Sequence, residues 1–301
     1  MLKKLLIIGG SGLVGSTLVK YSLKNYDVYT THNKNSDIPP NIFSTKVELP
    51  LQTNYLIKLI KKIKPAFTIY TVAYPSVDFC ETNQKEATSL HVDVIKEITR
   101  VCDEENSKLV FLSTDAVFEG KLGEKYTETD EPKPINHYGV TKLQAEKIVT
   151  SIPKNVVLRT AVIYGWHTKS RFTNWILESI MQNKIVDPFI DQYNTPTLVD
   201  DLAKAILKIL EMNVSGLYHS AGKTCINRYD FACLLAKTFG FSQNLIKPVT
   251  KIEKKQDAPR PNSTCLDSQK LEKIINFEFL DVYNGVSFVY QQYKTILSNK
   301  R

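Results

Sequence analysis

The sequence lacks several features that mark other classes of protein. No run of about 18 consecutive apolar residues is present, so we expect no membrane-spanning helix. The chain opens directly with an apolar, strand-like segment and has no signal-peptide core, which favours a cytoplasmic protein. Internal repeats and low-complexity tracts are also missing, and 43% hydrophobic residues with 23% charged residues are typical of a globular protein.

Cysteine is scarce and carries no recognisable pattern. The five cysteines in 301 residues show no C-x-x-C pair, and most stand in apolar surroundings. We therefore expect reduced core residues rather than disulfides or metal ligands. Carboxylates are not clustered at a spacing that predicts a divalent cation, so no metal site is expected.

The net charge of +8 comes from lysines scattered over predicted helix faces. The basic residues are not interleaved with stacking aromatics, and no known nucleic-acid-binding motif is present. We therefore expect no nucleic-acid partner. A small ligand that carries phosphates would account equally well for any functional part of the charge.

A glycine-rich turn follows the first apolar run. Gly9, Gly12 and Gly15 come directly after residues 5–8, and their spacing departs from G-x-G-x-x-G. Helix N-terminal amides can approach a pyrophosphate only where side chains are absent, so the order strand, glycine turn, helix predicts a dinucleotide site. An ordinary βα turn is the alternative.

A tyrosine and a lysine four residues apart form the second motif. Tyr138 and Lys142 would share one face of a helix whose predicted N-cap is Asn136. A nearby ammonium favours phenolate, so we expect Lys142 to lower the pKa of Tyr138 from about 10. An exposed aromatic-cation pair is the alternative for such a motif in isolation. Upstream, an apolar strand ends in hydroxyl residues at Thr114, as at the ligand-binding edge of a parallel sheet.

Strand-like and helical segments alternate through the first half of the chain, and this rhythm predicts an α/β fold with a Rossmann-type, doubly wound parallel sheet. The predicted strands are 3–8, 66–72, 108–113 and 155–160, and the predicted helices are 13–24, 53–64, 84–104 and 137–150. Residues 31–40 are polar and contain two prolines, so we expect a loop there. Later, helices at 199–212 and 229–239 and a strand with a turn at 216–222 are expected.

With these motifs in place, the chain resembles the extended short-chain dehydrogenase/reductases, and within them the dTDP-4-dehydrorhamnose reductase group. The resemblance runs nearly end to end, through residues 9–15, 73–81, 113–120, 134–142, 158–165, 191–197 and 260–267. It implies an NAD(P)-binding Rossmann domain at 1–164, with return segments near 195–222. Residues 165–301 would then form mainly a smaller C-terminal α/β lobe that binds substrate.

The resemblance also implies an enzyme that reduces the 4-keto group of a nucleotide-linked 6-deoxyhexose. Tyr138 would donate the proton, Lys142 would hold the nicotinamide ribose and Thr114 would hydrogen-bond the developing oxyanion. Besides Tyr138 and Lys142, the expected cofactor-binding residues are Gly9, Ser11, Gly12, Leu13, Val14, Gly15, His32, Asn33, Lys34, Glu48, Ala73 and Tyr74. The expected substrate-binding residues are Ser76, Val77, Asp115, Ala116, Gln192 and Arg260.

The end of the second strand bears on coenzyme choice. NAD-preferring enzymes usually place a carboxylate there, whereas this chain has His32, Asn33 and Lys34. NADPH is therefore the favoured cofactor, with NADH as the alternative. Solvated loop residues at these positions, and an ordinary surface glutamate at Glu48, are equally simple interpretations.

Several positions depart from the family pattern. Ala116 replaces an aromatic residue and Val162 replaces an indole, and both changes shrink surfaces expected to face the sugar. His91 stands where many relatives carry an asparagine that supports a water chain to the lysine; imidazole could replace it, or be a buried structural histidine. Arg260 is expected to face a diphosphate, against the alternative of a salt bridge between lobes.

A second class of function stays open at this point. Relatives with the same overall pattern serve as the non-catalytic regulatory subunit of methionine adenosyltransferase, which binds a dinucleotide and acts through a protein interface. The intact Thr114, Tyr138 and Lys142 favour the enzyme. A homodimer is the default expectation for the assembly.

Overall fold

The computed structural model describes residues 1–34 and 38–298. The strands are β1 (Lys3–Ile8), β2 (Tyr26–His32), β3 (Phe43–Lys46), β4 (Phe67–Tyr70), β5 (Lys108–Thr114), β6 (Val156–Thr160), β7 (Ile163–Tyr164), β8 (Tyr193–Asn194), β9 (Thr197–Leu198), β10 (Gly216–His219) and β11 (Ile226–Asn227). The helices are α1 (Leu13–Ser22), α2 (Thr53–Ile63), α3 (Val77–Thr82), α4 (Gln84–Thr88), α5 (Val94–Glu104), α6 (His137–Thr150), α7 (Arg171–Met181), α8 (Val199–Glu211), α9 (Arg228–Thr238), α10 (Gln269–Ile275) and α11 (Val282–Ser298).

A seven-stranded parallel sheet organises the chain. Its strand order is β10-β6-β5-β4-β1-β2-β3, with all neighbours parallel. The chain builds outwards from β1 to β3, then returns to β4 and builds outwards in the other direction. The order therefore reverses between β1 and β4, the point at which doubly wound sheets bind ligands. The predicted fold class is confirmed.

Apolar residues cover both faces of this sheet. One core packs α1 and α8 on β1, through residues such as Leu18 and Ile206. The other core packs α2, α5 and α6 on the opposite face, through residues such as Leu56, Ile98 and Val149. A third core lies in the second half of the chain, where α7, α9 and α11 meet. The division of the chain at residue 164 stays a prediction.

The predicted elements correspond closely to the observed ones, with two differences. The predicted helix 84–104 is interrupted by a π-helical turn at Ser89–Asp93. The predicted loop 31–40 is shorter at its start, because β2 continues through His32, and its residues 35–37 lie outside the described residues. In the part of the chain described, no helix is long and apolar enough to cross a membrane.

The expectation of reduced cysteines is wrong for one pair. Cys225 and Cys265 form a disulfide, with Cα atoms 5.5 Å apart and a sequence separation of 40. The segment before β11 and the segment after residue 260 meet only in the tertiary structure, so local spacing carries no sign of the bond. Cys80, Cys102 and Cys233 are free thiols.

Candidate functional site

A cavity of about 830 Å³ opens at the carboxyl ends of β1, β4, β5 and β6, where the strand order reverses. Twelve of the residues predicted for the site line it. These are Gly12, Leu13, Val14, Ala73, Ser76, Val77, Thr114, Asp115, Tyr138, Lys142, Gln192 and Arg260. Catalytic, cofactor-binding and substrate-binding candidates from both halves of the chain therefore share one cavity.

The glycine-rich turn forms one wall of the cavity. Gly9 has a φ of +92°, a left-handed conformation that favours glycine. A side chain at Gly15 would place its Cβ 2.2 Å from the Gly9 carbonyl oxygen, so helix α1 can approach the turn only with glycine there. The N-cap of α1 is Gly12, which offers no side-chain cap. The first amides of α1 are therefore free for an anionic ligand.

Helix α6 carries the tyrosine and the lysine. Its predicted N-cap is confirmed, because the Asn136 side chain accepts a hydrogen bond of 2.9 Å from the Gly139 amide. A Cβ at Gly139 would lie 2.2 Å from the Ala116 carbonyl oxygen. Glycine thus lets the first turn of α6 pack closely on the end of β5. This packing brings Tyr138 into hydrogen-bonding range of Thr114.

The expected lowering of the Tyr138 pKa is wrong. Burial raises the pKa of Tyr138 well above its ordinary value, and the hydrogen bond with Thr114 only partly opposes this. The sequence-based argument counted the charge of Lys142 but not the loss of water around the phenol. Tyr138 is therefore fully protonated at neutral pH and holds a proton that it can donate.

Lys142 points into the protein beside the end of β5. Its ammonium donates a hydrogen bond of 2.6 Å to the Leu112 carbonyl and lies 3.9 Å from the centre of the Phe111 ring. Burial lowers the pKa of Lys142 to about 7, with the nearby Glu146 acting in the opposite direction. The charge on this lysine is thus poised to change near neutral pH.

Asp115 is the centre of a buried hydrogen-bond network. Its buried carboxylate accepts hydrogen bonds from Asn194 at 2.6 Å, from Thr264 and, at 3.1 Å, from Thr114. Burial raises the pKa of this carboxyl, and the three hydrogen bonds oppose that rise. Asp115 lines the cavity, and the network orients the Thr114 hydroxyl beside Tyr138.

Arginines give the cavity a positive wall. Arg260 forms an ion pair of 2.9 Å with Asp78, which matches the alternative interpretation from the sequence while leaving Arg260 on the cavity lining. Arg228 was missed by the sequence reasoning. Its guanidinium lies 5.5 Å from the Phe172 ring centre, and no carboxylate of the described residues lies within 4.0 Å of it. Burial lowers the pKa of Arg228 to about 10, and the charge of Asp115 opposes this.

The place of Arg228 at the start of a helix is a feature that could have been recognised in the sequence. It is the first residue of α9, directly after the N-cap Asn227. A cation is disfavoured at a helix N-terminus because the helix dipole is positive there. Arg228 stands against this preference, is half-buried without a carboxylate within 4.0 Å among the described residues, and lines the cavity.

The other predicted residues lie outside the lining of the cavity. They are Gly9, Ser11, Gly15, His32, Asn33, Lys34, Glu48, Tyr74 and Ala116. His32 ends β2 and its Nδ1 lies 2.7 Å from the Ser44 hydroxyl, while Glu48 is exposed. The Ala116 amide donates a hydrogen bond to the Thr114 hydroxyl. Because Ala116 is not among the residues that line the cavity, the expectation that it faces the sugar gains no support. The roles of these nine residues stay predictions.

His91 occupies the π-helical turn and is buried. Its Nε2 accepts a hydrogen bond of 2.9 Å from the Tyr74 amide, which leaves the proton on Nδ1, 3.0 Å from the Thr141 hydroxyl. Burial lowers the pKa of His91 to about 3, so the ring is neutral. Both nitrogens are engaged by protein groups, and this favours the structural interpretation over a proton relay.

Val162 combines an unusual conformation with a place on the cavity wall. Its φ is +40°, a left-handed value that is rare for a β-branched residue. The carbonyl of Val162 accepts a hydrogen bond of 3.2 Å from the Thr197 amide, which ties β9 to this bend. Its side chain lines the cavity, in accord with the expectation that this position faces a ligand.

Comparison with known proteins relates this arrangement to a family. The family model of the RmlD substrate binding domain matches residues 3–295. The dTDP-4-dehydrorhamnose reductase of Aggregatibacter actinomycetemcomitans is 28% identical over 289 residues, which cover 91% of this chain and 94% of the relative. Methionine adenosyltransferase 2 subunit beta of Xenopus laevis is 32% identical over 225 residues, which cover 72% of this chain and 67% of the relative.

Solved structures give the same fold. A dTDP-4-dehydrorhamnose reductase from Bacillus anthracis, in complex with NADP, superposes with a TM-score of 0.87 at 24% identity. The alignment covers 97% of this chain and all of that structure. The resemblance predicted from the sequence is thereby confirmed. The chain belongs to the RmlD substrate binding domain family, within the extended short-chain dehydrogenase/reductases.

Proposed function

We propose that this protein is an NADPH-dependent reductase of the 4-keto group of a nucleotide-linked 6-deoxyhexose. One observation carries the proposal: Thr114, Tyr138 and Lys142 share a single cavity with the uncapped N-terminus of α1. The proton donor Tyr138, the hydroxyl of Thr114 and the cation of Lys142 would therefore lie together at the nicotinamide end of a bound dinucleotide. Relatives named dTDP-4-dehydrorhamnose reductases give the reaction class its support.

The glycine turn fits the pyrophosphate of a dinucleotide. Among the described residues, a Cβ at Gly12 would come within 4 Å of the Gly9 carbonyl oxygen alone, at 3.3 Å, so this position faces open space. The NADP complex of the Bacillus anthracis relative and the lack of a carboxylate at the end of β2 favour NADPH, with NADH as the alternative. When bound, the reduced nicotinamide supplies the hydride that a ketone reduction requires.

The protein's own groups have separate tasks in this reaction. Tyr138 keeps its proton at neutral pH and donates it from the phenol oxygen to the substrate oxygen. Thr114, oriented by Asp115, stabilises the charge that develops on that oxygen. In its charged form Lys142 binds the nicotinamide ribose and favours the phenolate left behind.

Arginine side chains favour a diphosphate-linked substrate. Arg228 is half-buried without a carboxylate partner among the described residues, and a diphosphate would supply the missing negative charge. Arg260, paired with Asp78 on the same wall, adds a second guanidinium. The sugar would lie between these arginines and Tyr138, near the small side chain of Val162.

A second function is favoured by a specific comparison. The Xenopus laevis relative named methionine adenosyltransferase 2 subunit beta is 32% identical, so a regulatory subunit is the alternative. The two functions differ in what the cavity must do. A regulatory subunit needs only to bind a dinucleotide, whereas the pairing of Thr114 with Tyr138 is expected of an enzyme.

The experiment that decides is a reductase assay with a purified dTDP-4-keto-6-deoxyhexose. We expect NADPH absorbance to fall in proportion to the sugar supplied, and replacement of Tyr138 by Phe to slow the fall by about 10²–10⁴-fold. The alternative predicts no NADPH consumption and co-purification with an adenosyltransferase catalytic chain. Analytical ultracentrifugation of the same sample tests the proposed homodimer.

A further inference from the structure

The turn between β7 and α7 crosses the glycine-rich turn of the opposite half of the chain. The Lys169 ammonium donates a hydrogen bond to the Ser11 carbonyl. Beside it, the His167 Nε2 lies 3.0 Å from the Ser16 hydroxyl on α1. Two contacts therefore hold residues 167–170 over the start of α1, where the proposed coenzyme binds.

Hydrogen bonds within the turn fix its shape. The Lys169 amide donates to the His167 Nδ1 at 3.0 Å, and the Ser170 amide donates to the His167 carbonyl at 3.0 Å. The Asn174 side chain donates to the carbonyls of His167 and Thr168, at 3.1 and 2.9 Å. The backbone of Lys169 is thereby held, and its side chain starts from a defined position beside α1.

The charge of Lys169 is not neutralised by the described part of the protein. Its partner is an uncharged carbonyl, and no carboxylate of the described residues lies within 4.0 Å of its ammonium. The residue is exposed to solvent. It lines the same cavity as Gly12, Leu13 and Val14, whose backbone forms the uncapped N-terminus of α1.

We propose that Lys169 is a further cofactor-binding residue that binds the pyrophosphate of the dinucleotide from the side opposite α1. This inference rests on the proposed coenzyme site. The ammonium would exchange the Ser11 carbonyl for phosphate oxygens, which are stronger acceptors because they are charged. Neither the glycine motif nor the Tyr138 motif points to this residue, because it belongs to the second half of the chain.

Lys169 would also couple the two halves of the protein. It lies just before α7, whose Phe172 and Trp175 line the cavity on the side of the proposed substrate. A dinucleotide that binds Lys169 would hold this turn, and α7 with it, in the position seen here. By reciprocity, coenzyme and nucleotide sugar should each raise the other's affinity.

The test compares ligands with and without a pyrophosphate. We would measure the Kd of NADPH, ADP-ribose and adenosine 2′-monophosphate by isothermal titration calorimetry for the wild type, Lys169→Met and Lys169→Arg. The exposed Lys58 on α2 provides a control, Lys58→Met, with the same change of charge. Since one hydrogen bond to a charged group contributes about 1.5–3 kcal/mol, Lys169→Met should weaken NADPH and ADP-ribose by about 10- to 150-fold.

Several results decide the inference. Adenosine 2′-monophosphate should bind equally to the wild type and Lys169→Met, and Lys169→Arg should retain most of the affinity for NADPH. If Lys169→Met binds NADPH as the wild type does, or loses all three ligands equally, the inference is overturned while the reductase proposal stands. Loss of dTDP binding in the absence of coenzyme would assign Lys169 to the substrate and also overturn it. A wild type that binds no pyridine nucleotide would refute the proposed function itself.

Discussion

Coenzyme affinity should depend on pH through a single buried lysine. Burial lowers the pKa of Lys142 to about 7 in the protein without coenzyme. At about pH 8 only about one molecule in ten then carries the ammonium. The proposed contact with the ribose hydroxyls favours the charged form, so the complex has the higher pKa and binding above pH 7 takes up a proton.

The size of the effect follows from this linkage. Well above pH 7, each further unit of pH lowers the charged fraction of the free protein about tenfold, so the Kd of NADPH should rise by nearly tenfold per unit. Between about pH 7 and pH 9 the total rise is about fiftyfold, provided that the pKa in the complex lies well above 9. Below about pH 6 the contribution of Lys142 should vanish, because the free lysine is already charged.

A fluorescence titration of NADPH across this range provides the assay. The variant Lys142→Met removes the titrating group and keeps most of the side-chain volume, so it should bind weakly at every pH and lose the slope. A Kd that stays constant between about pH 7 and pH 9 in the wild type would refute the reasoning. A slope of equal size in Lys142→Met would refute it as well, since another group would then be responsible.

Three substitutions test other parts of the account. Arg228→Met removes the unpaired guanidinium and should raise the KM of the nucleotide sugar about 10- to 150-fold with little change in kcat; an unchanged KM in steady-state assays would contradict its proposed role. Arg159→Met leaves the buried Glu146 carboxylate without its ion pair of 2.8 Å, so urea unfolding should show a loss of about 3–5 kcal/mol, and a loss below about 1 kcal/mol would disagree with the structure. Cys225→Ser removes a disulfide that closes a 40-residue loop with Cys265, which should lower the free energy of unfolding by about 4 kcal/mol; equal stability of the wild type with and without a dithiol would count against that bond.

Local patterns in the sequence were sufficient to predict the first elements of the candidate site. The strand, glycine turn and helix at residues 3–22 depend on neighbours in the chain, as does the cap of α6 by Asn136, and both are observed. The spacing of Tyr138 and Lys142 likewise predicted that they share one face of a helix, and both line the same cavity. Features with a local physical cause were therefore predictable.

Features that depend on distant contacts were not predictable in this way. Lys169 reaches the cavity from the second half of the chain, and nothing near it in sequence resembles a ligand motif. Arg228 reaches it from the same half, and its place at the start of α9 gains meaning only with its burial in the fold. The Cys225–Cys265 bond joins segments 40 residues apart. The pKa of Tyr138 is raised rather than lowered because burial, a property of the whole fold, outweighs the hydrogen bond with Thr114.

Single-turnover reduction of a dTDP-4-keto-6-deoxyhexose, with NADPH bound in advance, tests the central claim most directly. The wild type should oxidise one NADPH per sugar, and Tyr138→Phe should do so about 10²–10⁴ times more slowly while binding NADPH with unchanged affinity. Equal rates in the two proteins would contradict the assignment of Tyr138 as the proton donor. Absence of turnover in a wild type that binds NADPH would contradict the proposed reaction.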